Sequence, residues 1–186
     1  LNPVVVQAGD VIYNANPPRI VAATGNPASA EAHALGNPEG RAVLALEIRR
    51  PGTTYRAWDN VRFPLRNIDI DAALGALNLS ATRPQEFRVE PREVRPGVRR
   101  SVECEYFRVE HLEPMHGVPV DVPRAAPHSL HALAGAVSVT NERGEPIGAL
   151  ARGESALVPV HVGAYRITAT EVPALLVKVE VPPYAA

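Results

Sequence analysis

Lysine is almost missing from this chain of 186 residues: of its 19 Lys and Arg residues, only Lys178 is a lysine. Cysteine is nearly absent too. The single Cys104 excludes an internal disulfide and any cysteine-rich zinc site, and fits a reducing compartment. Net charge is close to zero, at −1, so neither a polybasic nucleic-acid surface nor an acidic tail is expected. No apolar run approaches the roughly 20 residues needed to span a bilayer, and no basic N-terminal region leads into an apolar stretch. The expectation is a cytoplasmic protein with neither nucleic acid nor membrane as partner. A Gly-rich nucleotide loop and a Gly-x-Ser-x-Gly elbow are also missing, which leaves phosphate-loop and serine-nucleophile chemistry without support.

What the chain does have is 46% apolar residues, enough for a real core, and 19 Pro and 13 Gly that cut it into short pieces. Most pieces are too brief for helices and are rich in Val, Ile, Leu and Tyr, so the protein reads as mainly β. Strands are expected at residues 4–7, 11–13, 19–23, 42–49, 54–58, 86–90, 106–112, 136–140, 155–160, 165–168 and 174–181. Short strands at this spacing indicate a sandwich or barrel. One segment differs. Residues 69–78 place Ile70, Ala73, Leu74 and Leu77 on one helical face behind Asp69, a residue able to cap the first turn. The polar, proline-containing stretch after it sets a domain boundary near residue 82, dividing the chain into 1–81 and 82–186. In the second half, residues 134–144 read as a strand entering a tight turn, and residues 150–160 as a Gly-centred turn followed by a strand.

The most informative stretch runs from Val43 to Arg62. An apolar run holding Leu46 and Glu47 leads into Thr54, Tyr55, Arg56, Trp58, Asp59 and Arg62, a segment dense with groups that grip anions. Upstream, Pro27 and Ala28 precede His33-Ala34. Together these resemble the metal-histidine motif, and the Glu and Arg that follow it, of the class I mannose-6-phosphate isomerases. The downstream pattern of Leu150, Gly153, Glu154, Ser155 and Pro159 is similar to the C-terminal cupin of the same family. The resemblance implies two cupin-like (jelly-roll) β-barrels. Residues 1–81 would form the latter part of a catalytic-type barrel plus a short connecting helix, and residues 82–186 a C-terminal accessory barrel.

The activity implied is metal-dependent interconversion of mannose 6-phosphate and fructose 6-phosphate through an enediol. In that scheme His33 is a ligand of zinc, Glu47 and Arg56 are catalytic, and Arg62 contacts the sugar phosphate. An imidazole suits zinc because its neutral nitrogen is a borderline-soft donor. Aldose-ketose isomerisation needs a base at the sugar carbon and positive charge for the developing oxyanion. The chain departs from the family pattern in three places: Ser29 replaces a Gly, Pro51-Gly52 stands near the usual Ser-Asp, and the Gln-x-His pair that supplies further zinc ligands is missing. A missing N-terminal segment or a partner subunit is therefore expected. Taken residue by residue, Glu47 suits an ion pair with Arg49 or Arg50 almost as well, and Arg56 one with Asp59. The alternative function is a non-catalytic cupin module that binds a sugar or organises an assembly. His128 and His131 invite a second metal site, but residues three apart on a strand face opposite ways.

Overall fold

The computed structural model describes residues 5–7, 10–12, 19–20, 27–28, 45–48, 55–57, 64–75, 88–104, 106–123 and 126–181. His33 and Arg62 lie outside the described residues. The chain divides into two compact units, one comprising Leu1–Val5 and Ile12–Phe87, the other Val6–Val11 and Arg88–Ala186. Its described secondary structure is overwhelmingly antiparallel strand, with one α-helix. No helix among the described residues is long and apolar enough to cross a membrane.

Three two-residue strands come first: β1 (Val11–Ile12), β2 (Arg19–Ile20) and β3 (Pro27–Ala28), with β2 antiparallel to β3. The helix α1 (Ile70–Gly75) starts where the Asp69 carboxylate accepts the N–H of Ala72 at 2.9 Å, the capping role expected from the sequence. Its apolar stripe is less buried than the pattern suggests. Six residues make fewer than two turns, and among the described residues of the stripe only Ala73 is buried, while Ile70 and Leu74 are each 54% exposed. Residues 45–48 and 55–57, expected in strands, are irregular. Apolar composition favours a strand there, but a strand exists only where a neighbour takes its N–H and C=O groups. Among the described residues no strand lies alongside.

The second unit holds β4 (Arg88–Val89), β5 (Arg92–Arg95), β6 (Val98–Glu103), β7 (Arg108–Leu112), β8 (Val120–Val122), β9 (His128–Asn141), β10 (Pro146–Ala151), β11 (Ser155–Val158) and β12 (Tyr165–Glu180). Eight of them form one sheet, ordered β10-β9-β12-β7-β6-β5, with β11 on β9 and β8 on β12. The long strands β9 and β12 pair along most of their length, yet each changes its outer partner midway. The first part of β9 pairs β11 and its last part β10; the first part of β12 pairs β8 and its last part β7. The change falls at a corner. Gly135 sits at φ +63°, where an added Cβ would run into the carbonyl oxygens of Glu171 and Pro173.

Folding over this corner brings both halves of the sheet onto one core. Val98, Leu112, Leu130 and Leu176 come from one half and Val122, Val137, Tyr165 and Ile167 from the other, all 3% exposed or less. Burying each large aliphatic side chain contributes roughly 2 kcal/mol. The hairpins are set by local chemistry. Asn141 Oδ1 accepts the N–H groups of Arg143 (3.0 Å) and Glu145 (2.9 Å), closing the β9–β10 turn, with Gly144 at φ +79°.

Candidate functional site

The inner face of the second unit changes character along its strands. On one rung, Val98 of β6 stands opposite Leu112 of β7, which faces Leu176 of β12, which faces Ala132 of β9. All four are 2% exposed or less. Two residues along each strand, the next rung reads Arg100, Glu110, Lys178 and Leu130. One step further, Glu180 faces His128. Because side chains alternate in strands, these residues project to the same side as the aliphatic layer. An ionic layer is thus laid against an apolar one.

The charged groups compensate one another. Lys178 Nζ donates to Glu110 at 3.5 Å and also bonds Glu180, with the lysine 3%, Glu110 5% and Glu180 6% exposed. On its other side Glu110 takes Nη2 and Nε of Arg100 at 3.0 and 3.3 Å. Burial raises the carboxyl of Glu110, but the Arg100 hydrogen bond and the charge of Lys178 outweigh it and hold the group below its ordinary value. Arg100 also donates Nη1 to Glu103 at 2.8 Å, and Glu103 is gripped by Arg108 through Nε and Nη2 at 2.9 and 2.6 Å. The Arg108 bond is the chief reason that Glu103 is held low.

His128 and Tyr165 complete the layer, stacked with ring centroids 5.7 Å apart. The carbonyl of Ala126 lies 2.8 Å from Nδ1 and can only accept, so Nδ1 carries the proton. Nε2 is then left to accept the Tyr165 hydroxyl at 2.6 Å. This arrangement wants a neutral ring and an intact phenol. Burial pushes His128 down and Tyr165 up, in line with it. With both ring nitrogens taken, His128 is no metal donor as it stands. His131 lies on the opposite face, between Ser129 and Ser155 at 2.8 Å each. Among the described residues, no group of three or more His, Cys, Asp or Glu is placed to hold a metal ion.

Of the residues singled out in the sequence, Glu47 is exposed in the irregular stretch 45–48. Arg56 is half-buried, and its carbonyl accepts the N–H of Asp69 at 3.1 Å, just before α1. Both belong to the first unit. The ionic layer was not foreseen. Its signal was nevertheless present: Lys178, the one lysine of the chain, and Glu180 occupy alternate positions in an otherwise apolar run from Ala174 to Val181.

No protein-family model matches this sequence, and no curated protein matches it. Solved structures do. A point variant of phosphomannose isomerase from Salmonella typhimurium aligns at a TM-score of 0.53 and 12% identity, over 65% of this chain and 30% of that one. The mannose 6-phosphate isomerase of the same organism, bound to fructose 6-phosphate and zinc, aligns with the same score and identity over 65% and 29%. A zinc-bound mannose 6-phosphate isomerase does likewise. The fold is cupin-like. At this identity the likeness is one of fold, and the chain spans about 30% of the length of the isomerases it matches.

Proposed function

We propose that this chain is part of a metal-dependent isomerase that interconverts mannose 6-phosphate and fructose 6-phosphate. The carrying observation is a coincidence of two independent signals: a cupin-like fold like that of phosphomannose isomerase, and the run from His33 through Glu47 and Arg56 to Arg62 in the first unit. Residues 1–81 are taken as the latter part of the catalytic-type barrel and residues 82–186 as an accessory barrel. In this proposal the Glu47 carboxylate moves the proton between the two sugar carbons, the Arg56 guanidinium balances the charge that develops on oxygen, and Arg62 holds the phosphate.

Zinc is the proposed cofactor of the whole protein, where it would polarise the substrate oxygens. A catalytic zinc needs three protein ligands. The described residues do not supply such a set. His33 is the ligand proposed from this chain, and the rest would come from a preceding segment or a partner subunit. Metal content of the full gene product is the test. About one zinc per chain, lost on His33→Ala, supports the assignment; a preparation that takes up no divalent ion overturns it.

A non-catalytic cupin module is the second reading. It is favoured by the interior of the second unit, where charged groups are already matched to one another and so resemble a structural layer more than a reaction centre.

A further inference from the structure

The edge of the second unit carries a feature that the isomerase reading does not use. A cavity of about 590 Å³ lies beside β4, β5 and β6, lined in part by Arg88, Glu90, Arg92, Arg100, Ser101 and Glu103. That volume falls in the range of small-molecule sites. Across the β5–β6 ladder, Arg92 stands directly opposite Arg100. Like charges so placed repel, whereas the next rung pairs Glu93 with Arg99 as opposite charges. Arg100 is answered by Glu110 and Glu103, and Arg88 by Asp10 at 3.0 Å. For Arg92, no acidic partner stands among the described residues.

We infer that this cavity binds a phosphate dianion, free or as the monoester of a small molecule, between Arg92 and Arg100. Two guanidinium forks from facing strands match the geometry of a tetrahedral anion. Arg100 can turn Nη1 to the ligand at small cost, because Glu103, which holds it at 2.8 Å, retains two bonds from Arg108. Glu90 and Glu103 are the carboxylates that oppose the anion, and Glu103 is its direct competitor for Arg100. The inference does not depend on the isomerase reading, since it concerns binding in the second unit and not turnover.

The test is titration of the intact chain, at constant ionic strength, with inorganic phosphate, glycerol 3-phosphate and glycerol, following the arginine Nε–H resonances. Saturable shifts of Arg92 and Arg100 with the two phosphates but not with glycerol are expected. Arg92→Gln should weaken binding about tenfold, the loss of one charge-assisted contact, and Glu103→Gln should tighten it. Arg92 is exposed, so its replacement should leave the unfolding transition in place. Tighter binding of glycerol 3-phosphate identifies an organic phosphomonoester as the occupant, and equal binding identifies the free anion; either supports the site. The inference is overturned if phosphate produces no saturable shift at millimolar concentration, if chloride produces the same shift, or if Arg92→Gln binds as well as the parent.

Discussion

Replacing Lys178 with Met is the sharpest perturbation of the ionic layer. The substitution keeps an unbranched side chain of similar bulk and removes the ammonium group, with its charge and its bonds to Glu110 and Glu180. Glu110 retains Arg100 at 3.0 Å, but Glu180, 6% exposed, loses the one cation bonded to it among the described residues. Leaving a buried charge uncompensated costs about 3–5 kcal/mol. That is a large part of the total stability of a domain, roughly 5–15 kcal/mol. The loss should be read from urea unfolding followed by the near-ultraviolet dichroism of the buried tyrosine. The double variant Lys178→Met with Glu180→Leu should recover most of it, since matched apolar groups replace a buried pair at little cost. The pH dependence gives a second readout. In the parent, Glu110 is held below its ordinary value of 4.5, so its contribution is full above that pH and is lost as pH falls through the folded value. A variant within about 1 kcal/mol of the parent at neutral pH, with no recovery in the double variant, would refute the claim that this layer is a compensated buried network.

Gly135→Ala should cost at least about 2 kcal/mol, because φ +63° disfavours a Cβ and two backbone carbonyls block its place; unfolding of the second unit unchanged by the substitution would contradict the corner. Burial holds His128, His111 and His131 below 6.5, so the unfolded chain takes up protons first and stability should fall as pH drops below that value; a flat profile between pH 7 and 5 would count against it. Burial raises Tyr165, so absorbance titration should show a late tyrosine step well above pH 10, delayed until the unit unfolds, and in Tyr165→Phe that late step should vanish. Asp69→Ala should loosen α1 by about 1 kcal/mol, seen as faster amide exchange at Ala72 and Ala73.

Much of the second unit was legible in the residues, because its strands alternate and its turns carry their own chemistry. The Asn141–Gly144 turn and the strand at Ser155–Val158 fall where Asn, Gly and alternating apolar residues place them. Length was less legible. The stretches 165–168 and 174–181 read as separate strands because Pro173 interrupts them, yet β12 runs through from Tyr165 to Glu180, its ladder absorbing the break in register shifts. Strands β5, β6, β8 and β10 escaped notice. Charged residues dominate β5 and β6, and in β6 the arginines are satisfied by glutamates that only the ladder brings near. The charges at Lys178 and Glu180 stood in the sequence, but their partners did not: Arg100 and Glu110 meet Lys178 only through pairing across β6, β7 and β12. The first unit shows the opposite failure. Its anion-gripping motif is the plainest text in the chain, while residues 45–48 and 55–57, which carry Glu47 and Arg56, adopt no regular ladder that periodicity could have anticipated.

The central proposal is tested most directly by adding mannose 6-phosphate to the intact gene product and following fructose 6-phosphate by magnetic resonance, in the parent and in Glu47→Gln and Arg56→Ala. The proposal predicts interconversion by the parent and a loss of about a hundredfold or more in Glu47→Gln, as removal of an acid-base group requires. Arg56→Ala should also be slowed. A parent that leaves mannose 6-phosphate untouched, or one whose rate neither substitution changes, would contradict it.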